Sequence, residues 1–144
     1  MLAREEILGL IPHQGAICLL DAVISWDTRQ LLAASRSHRS ASNPLRLDGR
    51  LRAVHLCEYG AQAMAVHGGL LARAEGRRAT PGLLVSLREV AFHVEYLDDL
   101  PGELLVHAER LHATDVSWQY GFRVTHAGTL LAEGRAAVIA VAEP

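Results

Sequence analysis

Leu51-Arg52-Ala53-Val54-His55-Leu56-Cys57-Glu58-Tyr59-Gly60-Ala61-Gln62-Ala63-Met64-Ala65-Val66-His67-Gly68-Gly69-Leu70-Leu71-Ala72-Arg73-Ala74-Glu75 is the stretch that decides the fold. It is rich in Ala and Leu, holds no Pro, and predicts one long helix over 51–75. Val54, Leu56, Ala61, Met64, Ala65, Leu70 and Leu71 put apolar side chains on nearly every face. A helix that is apolar all round is buried on most sides. Gly68-Gly69 allow close packing or a kink. Against this background Glu58 stands out. A carboxylate in an apolar helix is costly to desolvate, so it needs a partner, a wet cavity or a raised pKa. Such a placement suits acid–base chemistry; a Glu salt-bridged at the rim of a packed helix is the plainer alternative.

Before the helix, Arg4 to Ile11 reads as a short helix stopped by Pro12. Ile17 to Trp26 and Gln30 to Ser37 read as strands of a hairpin turning at Thr28-Arg29. Ser40 to Gly49, with Asn43-Pro44 and Asp48-Gly49, is a loop. After Gly76-Arg77-Arg78 and Pro81-Gly82 the period becomes strand-like. Leu83 to Glu95 reads as a long strand, with Leu87, Val90, Phe92 and Val94 as packing candidates. Leu97 to Gly102 is a turn, and Glu103 to Thr114 alternates through Leu104, Val106, Ala108 and Leu111. Trp118 to Thr125 and Thr129 to Val141 flank a hairpin turn at His126-Ala127-Gly128. Strands gathered around a single buried helix imply an α+β fold with the sheet wrapped on that helix. One domain over residues 1–144 is expected.

Composition narrows the function. Half of the residues are apolar, enough for a real core, and the net charge is −2. No basic run and few aromatics argue against nucleic-acid binding. All cationic side chains are Arg, which reads as composition bias. Cys18 and Cys57 lie in apolar runs, like small buried hydrophobes, and suggest no disulfide framework. The N-terminus lacks a signal-peptide pattern, and no apolar stretch approaches the ~20 residues of a membrane helix. A cytoplasmic protein is expected, with no membrane partner.

Four stretches, in order, resemble a known family. Leu10-Ile11-Pro12-His13-Gln14-Gly15-Ala16-Ile17-Cys18-Leu19-Leu20-Asp21 is similar to the N-terminal Leu-Pro-His motif of β-hydroxyacyl-acyl-carrier-protein dehydratases. Cys57-Glu58-Tyr59-Gly60-Ala61-Gln62-Ala63 is similar to their central-helix Glu-x-x-x-Gln motif. Leu87 to Phe92, followed by Leu100-Pro101-Gly102-Glu103-Leu104, is similar to their central strand and Pro-Gly turn. His126 to Gly134 is similar to their last hairpin. The set most resembles the divergent branch found with aryl-polyene-type biosynthetic clusters. The resemblance implies a hotdog fold, a curved antiparallel sheet wrapped around one long helix. It also implies dehydration of 3-hydroxyacyl thioesters on an acyl carrier protein, in fatty-acid or polyketide-like biosynthesis. It implies no metal or organic cofactor, and a dimer with itself or with another hotdog subunit. The family's loop His is absent: Ser42-Asn43-Pro44-Leu45 stands near its place, and Arg52-Ala53 replaces the helix-opening Pro-Gly.

Dehydration needs a base for the Cα proton and an acid for the departing β-hydroxyl. Glu58 is the candidate acid, since a carboxylic acid held protonated in an apolar tunnel can donate. His13 is the candidate base; the alternative is a His bonding backbone near a turn. His55, one helical turn before Glu58, is a candidate for substrate binding or a second base, or for orienting Glu58 or contacting a dimer partner. Gln62, one turn after Glu58, is placed to hold the carboxylate or meet substrate; a helix-surface amide is the alternative. His67 lies about two and a half turns on, on another side. A zinc site from His55, Cys57 and Glu58 lacks ligand spacing, and Cys57 lacks the electropositive setting of a nucleophile. An acyl thioesterase with Glu58 activating water and a non-catalytic partner of an active dehydratase are the rival readings.

Overall fold

A single antiparallel sheet carries the architecture of this computed structural model, which describes residues 1–141. Its strands are β1 (Leu2–Ala3), β2 (Ala22–Trp26), β3 (Gln30–Ser35), β4 (Gly82–Phe92), β5 (Leu104–Ala113), β6 (Ser117–His126) and β7 (Thr129–Ala140). They line up in the order β1-β2-β3-β5-β6-β7-β4. A short helix α1 (Arg4–Leu8) precedes β2, and the long helix α2 (Leu56–Ala74) lies between β3 and β4 in sequence. The sheet curves around α2, which crosses β3, β5 and β6, meets the margin of β7 and leaves β4 beyond it. This is the expected hotdog fold.

Strand alternation builds the core. Leu104, Val106 and Ala108 of β5 and Tyr120, Phe122 and Val124 of β6 face α2 and are buried. Phe122 is clasped between two glycines: a Cβ on Gly60 of α2 would lie 2.7 Å from its ring, and one on Gly134 of β7 2.9 Å. Helix and sheet therefore approach closely only because both positions lack side chains. Leu111, counted in the expected alternation, is exposed: it is out of phase with Leu104, Val106 and Ala108, and it sits at the register shift between Arg110 and His112. At the β6–β7 hairpin Ala127 and Gly128 both have positive φ, as a two-residue turn between right-twisted strands requires.

Three boundaries differ from the sequence expectation, each for a tertiary reason. The helix expected from Leu51 starts at Leu56, after a 3-10 turn over Ala53–His55. Residues 51–53 are instead bonded to the 95–98 segment: Leu97 N–H to Leu51 O, Ala53 N–H to Glu95 O, and Leu51 N–H to the Asp98 carboxylate. The strand expected from Ile17 starts at Ala22, because Ile17 O and Leu19 N–H are taken by the Gln62 side chain. The first helix stops at Leu8, capped by Gly9, rather than running to Ile11.

Strand β4 departs most from expectation. It pairs with β7 and sits at the end of the sheet. Leu87 and Phe92, read as packing residues, are 41% and 39% exposed, and Leu83, Leu84 and Val85 are exposed as well. The alternation does mark a strand, but the layer those side chains would pack on is missing, since α2 stops short of β4.

Candidate functional site

Glu58 lies in the first turn of α2, and its carboxylate meets two groups. His13 Nε2 stands 3.4 Å from Oε1, and Gln62 Nε2 donates to the same oxygen at 3.1 Å. His13 reaches it from the segment between α1 and β2. That segment is irregular, yet it is tied down at many points. Arg4 donates to Cys18 O at 2.8 Å, Leu20 O at 3.2 Å and Gly15 O at 2.6 Å. Gln14 Nε2 donates to Leu8 O, and Ser35 Oγ donates to Leu19 O.

Gln62 joins the two halves of the site. It is fully buried. Its Nε2 donates to both Glu58 Oε1 and Ile17 O, while its Oε1 accepts the Leu19 N–H at 2.8 Å. Both N–H bonds and the carbonyl are thus used within the protein. One side chain on α2 therefore fixes the carboxylate and the segment that carries His13.

The pair is not sealed. The His13 and Glu58 side chains are 27% and 41% exposed, so this chain alone does not supply the apolar enclosure expected around the carboxylate. His13 Nδ1 is buried without a hydrogen-bond partner. Imidazole and carboxylate side by side can share and pass one proton, with Glu58 Oε2 left for a reacting group.

The loop near the missing family His is committed elsewhere. Asn43 is buried; its amide donates to Ser37 O and to the Tyr59 hydroxyl, and its carbonyl accepts the Leu45 N–H. Tyr59 OH meets Ser37 Oγ at 2.8 Å, which in turn meets Ser35 Oγ. Burial pushes the Tyr59 phenol up, keeping it neutral. This network locks the loop and offers no base. His55 makes no hydrogen bond or ion pair with Glu58, whose polar contacts go to His13 and Gln62. It stands at the N-terminal boundary of α2, half-buried.

The remaining candidates behave as structure. His67 is fully buried: Nε2–H donates to Asp27 O at 2.8 Å, and Nδ1 meets Tyr120 OH at 2.7 Å. Burial lowers the His67 pKa and pushes Tyr120 up to about 12, so both stay neutral. Burial raises both Cys18 and Cys57, which remain thiols rather than nucleophiles. Among the described residues no three His, Cys, Asp or Glu side chains are grouped to hold a metal, and no helix is long and apolar enough to cross a membrane. Arg4, Ser35 and Asn43 were not singled out in the sequence. Their hydrogen-bond partners lie at 16 positions along the chain or fewer, but no periodic pattern marks such contacts.

The ApeP-like profile, described as ApeP dehydratase, matches residues 5–144. The chain belongs to the ApeP-like dehydratase family. No curated protein matches its sequence. Among solved structures it is similar to the dehydratase heterocomplex ApeI:P from Xenorhabdus doucetiae, at 20% identity and a TM-score of 0.85, over 95% of this chain and 91% of that one. It is also similar to conserved protein PA5202 from Pseudomonas aeruginosa, at 17% identity and a TM-score of 0.65, over 96% and 99% of the two chains. A hypothetical thioesterase with coenzyme A from Streptococcus pneumoniae shares 11% identity and a TM-score of 0.60, over 84% and 85%. At these identities the structures establish the hotdog fold, while the profile establishes the aryl-polyene-type dehydratase family expected from the motifs.

Proposed function

We propose that this chain takes part in dehydrating 3-hydroxyacyl thioesters, carried on an acyl carrier protein, to trans-2-enoyl thioesters. The observation that carries this reading is the meeting of His13 and Glu58 at 3.4 Å, held by the buried Gln62. In the reaction His13 accepts the Cα proton while Glu58 delivers a proton to the β-hydroxyl. The Cβ–O bond breaks, water leaves, and the Cα–H electron pair becomes the new double bond. The proton that His13 gains returns to Glu58 between turnovers, so the pair ends as it began. Gln62 acts as a positioning residue rather than a substrate contact, because its amide is already fully bonded. His55, near the start of α2, is the residue left to meet the bound substrate.

A second hotdog subunit fits this site. The pair is half-open, and beyond the reach of α2 the end of the sheet exposes Leu84, Leu87 and Phe92 along the β4 edge. Covering these side chains would remove apolar surface from water and pair an unprotected edge. The name of the Xenorhabdus relative, a heterocomplex, supports a different chain rather than a second copy as the partner.

The test is hydration of a short trans-2-enoyl thioester, followed by loss of enoyl absorbance with a parallel thiol assay. It is run on the chain alone and with a co-purified hotdog subunit. Enoyl loss without thiol release, reduced about a hundredfold or more in both Glu58→Gln and His13→Gln, is expected. Thiol release would assign a thioesterase instead. One observation favours a second reading, that of a non-catalytic partner: Asn43 is locked in the stretch near which the resemblance implies a catalytic His. That reading holds if the complex turns over substrate and neither substitution slows it.

A further inference from the structure

His13 reaches Glu58 from residues 9–21, a stretch that forms no strand of the sheet. Its one regular element is a 3-10 turn over Gly15–Ile17. A chain without a ladder must satisfy its carbonyls in some other way. Here side chains from three elements do so. Gln62 of α2 takes Ile17 O, and Ser35 at the end of β3 takes Leu19 O. Arg4, the first residue of α1, takes the carbonyls of Gly15, Cys18 and Leu20.

The reach of Arg4 depends on its shape. Nη1 donates to Cys18 O at 2.8 Å and to Leu20 O at 3.2 Å, while Nη2 donates to Gly15 O at 2.6 Å. A guanidinium can serve three such acceptors because its N–H groups diverge in one plane; a lysine brings its charge to a single point, and a glutamine has both N–H bonds on one nitrogen. Asp21 Oδ1 lies 3.8 Å from Nη1 and partly balances the charge. Gly15 stands two residues after His13, and its φ of +61° turns the chain there. On the other side Gln14 donates to Leu8 O and Ile11 O. His13 is thus held between the ties of Gln14, back toward α1, and the tie of Arg4 at the Gly15 turn.

We propose that Arg4 is a positioning residue of the reaction, its guanidinium fork setting the course of residues 13–20 and with it the meeting of His13 Nε2 and Glu58 Oε1. This rests on the reading of that pair as the reacting groups. Arg4 acts only through the backbone that carries His13, since its polar contacts go to three carbonyls and Asp21. Gln62 fixes the pair from the helix side and Arg4 from the side of the segment. The pair at 3.4 Å stands just outside the roughly 2.6–3.2 Å of a working catalytic hydrogen bond, so it has little slack to lose. A shift of about 1 Å in a reacting group can cost on the order of a hundredfold in rate.

The experiment compares wild type with R4Q and with R4K, which keeps the charge and loses the fork. Each is studied with the co-purified hotdog subunit, at a temperature where it is folded. Two readouts are taken: kcat and KM for hydration of a short trans-2-enoyl N-acetylcysteamine thioester, and the 15N resonance of His13 Nε2 with and without Glu58→Gln. Expected in R4Q is a fall in kcat of about tenfold or more, with KM changed by less than about threefold. In wild type Glu58→Gln moves the His13 resonance; in R4Q the same substitution moves it by less than half as much. R4K shows both effects at smaller size and carries the test should R4Q fail to fold. Either variant, folded, with wild-type kcat and an undiminished resonance shift overturns the proposal, even where its melting temperature has dropped. Tyr120→Phe, expected to lose stability and keep turnover, shows what destabilisation alone does to both readouts. If wild type is inert on the thioester, the dehydration reading fails, and the resonance alone decides whether Arg4 holds His13 against Glu58.

Discussion

Two histidines meet α2 in opposite ways. His67 is fully buried, with both ring nitrogens bonded and its ring edge-on to Tyr120 at 5.6 Å. His13 is partly open, stands 3.4 Å from a carboxylate, and keeps one buried nitrogen without a partner. A satisfied, sealed imidazole joins the 27–30 turn, the helix and β6 into one body. A half-open imidazole beside a carboxylate can still exchange a proton with something that arrives. The difference lies in what surrounds each ring, since both are ordinary histidines in apolar sequence.

The sharpest way to break this contrast is to remove the core they share. Phe122→Ala, which empties the space between Gly60 and Gly134, is expected to lower stability by about 3–5 kcal/mol in denaturant unfolding. Next is Glu58→Gln. A hundredfold loss of turnover corresponds to about 2.7 kcal/mol of barrier, with stability changed by less than about 0.5 kcal/mol. A comparable loss of stability would make Glu58 a structural residue. Tyr120→Phe should do the reverse. It leaves His67 Nδ1 buried and unpartnered, costing about 1–3 kcal/mol of stability with turnover retained.

The pH dependence separates the two histidines further. Burial lowers the folded-state pKa of His67 and His38 from 6.5. The unfolded chain therefore binds protons that the folded chain refuses, and stability rises with pH in that range. The contribution is complete above about pH 6.5 and is lost as pH falls below it toward the lowered folded values. Unfolding measured from pH 7.5 down to 5 should show this loss, and His67→Gln should flatten it. A slope unchanged in His67→Gln would mean that the proton is taken up elsewhere. The smallest effect is expected from His55→Gln: a raised KM at constant kcat, as for a residue that holds substrate and transition state equally.

Much of this was legible in the sequence, because it depends on neighbours along the chain. The 3.6-residue pattern around Met64 and Leu70 and the alternation of Leu104, Val106 and Ala108 report helix and strand directly. Positive φ at Ala127-Gly128 follows from a tight hairpin between two alternating runs. Glu58 was conspicuous as a carboxylate among apolar residues, and Gln62 one turn away shared its face. What the pattern could not show was how Gln62 would spend its amide. By capturing Ile17 O and Leu19 N–H it draws residues 17–21 out of the strand their composition favours.

Local periodicity, and the order of motifs along the chain, determined the α+β architecture and the family. The tertiary structure alone decided that His13, rather than His55, reaches Glu58, 45 residues away in sequence. It also decided that Asn43 is consumed in the Tyr59 network and that β4 lies beyond the helix with Leu87 and Phe92 in solvent. The reason is common to all three. Helical and strand periods record which way a side chain faces on its own element, whereas contact between distant segments depends on how the elements close over one another.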